Sequence, residues 1–171
     1  MEAHVAKKPK LLSDLFHATL KDIYFAEKKI LTTLPKMAKA AQSKDLKAAF
    51  VKDERETRGH VKRLDQVFKI FGKKPQAKKC EAIMGITKEG AEIMTEFKGM
   101  PALDAGLTAA AQAVEHYEMS RYGTLKTWAT ELGMPNAADL LDATLKEEKA
   151  TDLALTSLAK SVVNVEAEAE F

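Results

Sequence analysis

At 171 residues, with 46% hydrophobic and 30% charged content, the chain is long enough for one domain with a substantial core and too polar for a membrane-spanning protein. Its 27 basic and 25 acidic residues leave a net charge of +2, so no global basic field exists for nucleic acid or a membrane surface. The lack of any apolar run of about 18 residues, of a leader with a cleavage site, and of a second cysteine beside Cys80 leads to the expectation of a cytoplasmic protein without disulfides.

Residues 1–10, with Lys7, Lys8, Pro9 and Lys10, read as a basic disordered tail. Good helix formers dominate the rest and alternating strand patterns are missing, so an all-α fold is predicted. The first helix is expected from Ser13, as N-cap with Asp14 in the first turn, to Ala41. Its apolar seam is Phe16, Leu20, Ile23, Glu27, Ile30, Leu34 and Met37, and the pattern continues past Pro35, which predicts a kink there instead of a stop. The second spans Lys44 to Phe71, closed by Gly72 and Pro75. Its stripe is Leu46, Phe50, Asp53, Thr57, His60, Leu64, Val67 and Phe71, with Glu56 alongside.

The stretch from Lys73 to Pro101 is too long for a hairpin loop. Ala82, Ile83, Ile86, Ala91, Ile93, Met94 and Phe97 can form a short helix within it, and its length suits a crossover that makes the second and third long helices parallel. The third long helix is predicted from Leu103 to Leu132, before Gly133 and Pro135, with Ala111, Val114, Glu115, Glu118, Tyr122 and Leu125 on one face. The fourth runs from Asn136 to Val163 on the seam Leu141, Leu145, Glu148, Asp152, Leu155, Ala159 and Val162. A bundle of two antiparallel hairpins over residues 11–165 follows, with 166–171 a frayed acidic end.

Carboxylates on these seams are the functional signal. Glu27, Glu56, Glu115 and Glu148 put one on each long helix, and buried carboxylates must be neutralised, paired or bound to a cation. Two divalent ions would balance four carboxylates, and oxygen donors with one imidazole suit iron or manganese. His60 is the nitrogen ligand of this reading, Asp152 its oxygen counterpart in the other half, Glu118 an additional ligand, and Tyr24 a hydrogen-bond donor behind Glu27.

Quieter readings hold for other residues. Asp53 is read as the partner of a lysine, Glu147 as a solvated residue beside the seam, His116 as an edge histidine, and His17 and His4 as surface and tail. Met37, Met84, Met94, Met119 and Trp128 read as core packing, and Cys80 as a structural thiol. Arg55, Arg58, Arg63 and Arg121 supply the competing explanation, a buried ion-pair network with no metal.

The segments Asp22-Ile23-Tyr24-Phe25-Ala26-Glu27-Lys28, Glu56-Thr57-Arg58-Gly59-His60, Glu115-His116-Tyr117-Glu118 with Tyr122-Gly123-Thr124-Leu125, and Glu147-Glu148-Lys149-Ala150-Thr151-Asp152 resemble the YciF/YciE family of bacterial ferritin-like proteins, over Leu11 to Val163. That resemblance implies a ferritin-like four-helix bundle with a long crossover, a homodimer, and an association with stress responses. Similarity to the wider superfamily implies that Glu27, Glu56, Glu115 and Glu148 match di-iron carboxylates, with Glu118 an extra one. One departure stands out: the superfamily's Glu-x-x-His is replaced by Glu56-x-x-Gly59 and Glu148-x-x-Thr151. His60 and Asp152 sit one position later, rotated by about 100°. A metal-binding stress protein, a non-catalytic structural protein and a storage shell remain the functional alternatives; nothing names an organic substrate.

Overall fold

The computed structural model describes residues 9–168, so most of the basic tail predicted for 1–10 and the last three residues of the acidic end lie outside the described residues, while Glu166 and Ala167, expected to be frayed, are helical. Five helices carry the fold: α1 (Leu12–Ala40), α2 (Lys44–Ile70), α3 (Glu81–Glu96), α4 (Leu103–Glu131) and α5 (Pro135–Leu158). A π-helical turn (Ala159–Val163) and a short α6 (Asn164–Ala167) extend α5.

Helix α1 starts two residues earlier than the Ser13 cap implies. Leu11 is its N-cap, and the Asp14 carboxylate accepts the Leu11 backbone N–H at 2.8 Å, so the acidic residue caps the helix from its third position. The helix passes through Pro35 to Ala40. At the far ends of α2 and α4 the glycines work as expected: Gly72 and Gly133 have φ of 76° and 72°, and the next N–H closes back onto Phe68 and Ala129 respectively.

Antiparallel pairs α1/α2 and α4/α5 form two hairpins, and the crossover with α3 makes α2 and α4 run the same way. The ring order around the bundle is α1, α2, α5, α4, with α3 lying over the α1/α4 seam. Along α2 and α5 the facing residues are Glu56 with Thr151, His60 with Glu147 and Arg63 with Thr144, which sets their antiparallel register. Phe16, Leu20, Ile23, Leu46, Phe50, Leu64, Phe68, Leu107 and Leu125 build the apolar layers of the core.

The two hairpins are fastened at one end by Asp104. Its buried carboxylate accepts the backbone N–H of Gln42 at 2.9 Å and of Ser43 at 2.6 Å, holding the α1–α2 turn to the first turn of α4. Ser43 is the N-cap of α2 and Gln42 precedes it, so the carboxylate sits at the helix N-terminus, where a negative charge is also favoured by the helix dipole. At the same end, where α5 runs out antiparallel to the start of α4, the π-helical turn inserts an extra residue into the winding, so Val163 is buried where the simple repeat predicts Val162.

Candidate metal centre

Midway along the bundle the apolar layers give way to carboxylates. Glu27 from α1, Asp53 from α2, Glu115 and Glu118 from α4 and Glu148 from α5 are all buried, together with His60 from α2. They fall into two overlapping groups. In Glu27, His60, Glu118 and Glu148, one ligand-type atom from each lies within 4.8 Å of the others, and the same holds for Asp53, Glu115 and Glu148. Glu148 belongs to both.

Five of the seven residues singled out from the sequence thus converge: Glu27, His60, Glu115, Glu118 and Glu148. Glu56 and Asp152 do not. Glu56 is turned to the rim of the α2/α5 seam, where Lys52 holds it at 2.9 Å. Asp152 faces α4, 3.2 Å from the exposed His116 and 3.1 Å from the Gln112 amide. Asp53 takes the place assigned to Glu56 and has no lysine partner among the described residues. The signal for it was in the seam itself: Asp53 falls on the alternating steps of α2, whereas Glu56 lies one residue's rotation off them.

Around this cluster the hydrogen bonds also differ from expectation. Tyr24 donates to Asp65 at 2.8 Å, away from Glu27. The phenol behind Glu27 is instead Tyr122, which donates a short hydrogen bond to Glu27 Oε1. Glu147, read as a solvated residue, is held in two contacts by Arg63 at 2.6 and 2.8 Å and lies 2.9 Å from His60 Nε2.

Arginine and lysine do not supply the pairing that the ion-pair explanation calls for. Arg63 is spent on Glu147, Arg58 on Glu54, and Arg121 lies 4.0 Å from Asp22, while Arg55 is exposed. Among the described residues no lysine or arginine pairs with any of the five buried carboxylates. Glu27 Oε2, both oxygens of Glu115, Glu118 Oε1 and Glu148 Oε1 have no hydrogen-bond partner. His60 Nδ1 is 2.9 Å from Glu148 Oε1 and 3.6 Å from Glu27 Oε1, but not aligned for a hydrogen bond with either.

Electrostatics makes the arrangement untenable as bare anions. Two charges about 4 Å apart at an effective dielectric near 20 repel by about 4 kcal/mol. Burial, aided by the neighbouring carboxylates, pushes Asp53 up to about 7 and Glu115 up to about 12, and Glu27 and Glu118 also rise for lack of solvent. His60 loses solvation, yet the facing Glu148 and Glu27 hold its proton and raise it to about 11. Protons are therefore one way to compensate the cluster, and cations are the other.

The donor set fits cations. It supplies hard oxygens with one imidazole, and atoms surrounding an ion at about 2.1 Å lie within about 4.2 Å of one another, close to the spread of each group here. A small apolar space of about 10 Å³ adjoins Asp53 and Glu115, lined also by Ile30, Leu34, Val114 and Thr87 of α3.

Comparison with known proteins gives the lineage. A family model described as a domain of unknown function, DUF892, matches residues 11–168. The chain belongs to this family. It is 44% identical over 160 residues to Protein YciF of Escherichia coli strain K12, covering 93% of this chain and 96% of that protein. The crystal structure of that stress protein matches at a TM-score of 0.87 and 43% identity, over 91% of this chain and 99% of the other. YcfI from Rhodopseudomonas palustris, described as a proposed structural protein, matches at 0.85 and 43% identity, over 89% and 97%. A Xanthomonas campestris protein at 19% identity and TM-score 0.70 shares the fold. The expected resemblance and the all-α bundle are thereby established. No described helix is long and apolar enough to cross a membrane.

Proposed function

We propose that this family member is a stress-associated metalloprotein whose bundle core binds two divalent metal ions, iron or manganese. Glu27, His60, Glu118 and Glu148 would hold one ion, and Asp53, Glu115 and Glu148 the other, with Glu148 common to both. The observation that carries this reading is the set of buried carboxylate oxygens that lack a hydrogen-bond partner while no lysine or arginine among the described residues pairs with them. Iron bound there would supply electron transfer to oxygen or peroxide.

The chain's own contribution is binding, neutralisation and exclusion. Carboxylates from four helices compensate the charge of the ions, and Tyr122 steadies Glu27 through its phenol. The surrounding Leu and Ile layers keep bulk water out and make each charge interaction stronger than it would be in solvent. The stress association follows from similarity to the E. coli stress protein.

Metal analysis after anaerobic iron loading tests the reading. About two ions per chain are expected, as in other carboxylate sites of bundles, falling in Glu148→Gln with helicity retained. A wild-type chain that retains no metal after desalting refutes it. The second reading, a non-catalytic structural protein, is favoured by the description of the Rhodopseudomonas relative and predicts that Glu148→Gln changes stability only.

A further inference from the structure

The imidazole of His60 is gripped from both sides. Its Nδ1 faces the buried cluster, 2.9 Å from Glu148 Oε1, and its Nε2 lies 2.9 Å from Glu147 Oε2 in the seam between α2 and α5. Glu147 is itself fixed: Arg63 Nη1 and Nη2 reach its two oxygens at 2.6 and 2.8 Å, and Nη1 also lies 3.2 Å from Thr144 Oγ1. The ring meets the Tyr122 ring edge-on, at 6.3 Å between centroids. A carboxylate accepts hydrogen bonds and donates none when ionised, so the partner nitrogen must carry the proton.

We propose that Glu147, clamped by Arg63, is a positioning residue that keeps the proton of His60 on Nε2 and presents the Nδ1 lone pair to the metal. The inference rests on the dimetal reading above and extends it outward to the bundle surface. It also accounts for the departure from Glu-x-x-His. His60 lies one position later than the superfamily's histidine and therefore approaches the centre from the α2/α5 seam. On that side the residue just before Glu148 is placed to receive its far nitrogen. A ligand imidazole aimed by a carboxylate on its other nitrogen is both oriented and made more basic, and losing such a partner typically weakens metal affinity by about 10–100-fold.

An ion pair that merely ties α2 to α5 would use the same Arg63–Glu147 contact, so the test reads the ligand as well as the fold. Cobalt(II) is titrated into chelator-stripped protein and followed by visible absorption, whose band positions respond to nitrogen ligation. Helicity is followed in parallel. Glu147→Ala and Glu147→Leu, the second retaining side-chain bulk in the seam, are expected to stay folded and bind the nitrogen-ligated cobalt about 10–100-fold more weakly, with bands moving toward those of His60→Ala. Glu147→Gln, whose amide oxygen still accepts from Nε2, should recover most of the affinity. Arg63→Met should lose less than Glu147→Ala. Cobalt binding and bands like the wild type in folded Glu147→Ala or Glu147→Leu overturn the positioning role and leave the metal centre standing. Absence of cobalt binding in the wild-type chain overturns the centre itself.

Discussion

Replacing Glu115 by glutamine should make the metal-free protein more stable at neutral pH, although it removes a proposed ligand. The Glu115 carboxyl is 1% exposed, both its oxygens lack partners, and burial raises it from 4.5 to about 12. The folded chain therefore holds a proton there at pH 7 that the unfolded chain has released. For a group raised in this way, stability is fully present below the unfolded value near 4.5 and declines with pH until the folded value is passed. From 4.5 to 7 is about 2.5 pH units at about 1.36 kcal/mol each, a deficit of about 3 kcal/mol. Glutamine has the shape of the protonated acid and nothing to titrate. In a chain of this size the gain corresponds to about 6–12 °C in melting temperature. The assay is thermal unfolding of chelator-treated protein at pH 4.5, 5.5 and 7. The two chains should melt together at the lowest pH and diverge as pH rises, with the variant higher. Added iron(II) or manganese(II) under anaerobic conditions should raise the wild type further than the variant, which keeps Glu27, His60, Glu118 and Glu148, the difference being about 2.7 kcal/mol at a hundredfold excess over the dissociation constant of the ion that Glu115 would hold. A variant that melts with or below the wild type at pH 7 refutes the argument that Glu115 is buried without a cationic side chain.

Two further substitutions probe the frame that brings the ligands together. Asp104→Ala leaves the Gln42 and Ser43 N–H groups without their acceptor and should cost about 2–3 kcal/mol by chemical denaturation, with the buried carboxylate cluster untouched; a loss under 0.5 kcal/mol would show that water replaces the carboxylate at little cost. Gly106→Ala would place a Cβ 2.6 Å from Ile93 Cγ2, where α3 meets α4, and should destabilise by about 1–3 kcal/mol through overpacking. An unchanged denaturation midpoint would mean that α3 rides loosely on the bundle.

The long helices were legible because their apolar residues repeat in alternating steps of 3 and 4, and Gly72 and Gly133 close α2 and α4 where the repeat runs out. Cysteine 80 also met its bland reading, a buried thiol 3.0 Å from the Tyr117 hydroxyl. Rotation about each helix was harder to read. A one-residue error turns a side chain by about 100°, which separates Asp53 in the core from a rim carboxylate such as Glu56. On α5 the buried row runs Thr144, Glu148, Thr151, Leu155, so Thr151 faces inward and Asp152 turns toward α4. That phase depends on the neighbour against which the helix packs, which periodicity alone does not specify. The same holds for Tyr24, whose Asp65 partner lies on another helix, and for Glu147, whose role follows from His60 and Arg63 across a seam. The π-helical turn carries no composition signal, and it moves burial from Val162 to Val163.

The narrow space beside Asp53 and Glu115 limits what can reach those two carboxylates through it. At about 10 Å³, with α3 spread over the neighbouring seam, it has room for something the size of a single water molecule. Sugars, nucleotides and fatty acids are all many times larger than that space. If ions bind at Asp53 and Glu115 as proposed, this space would pass them and reagents of two or three heavy atoms, and selectivity there would come from sieving by size.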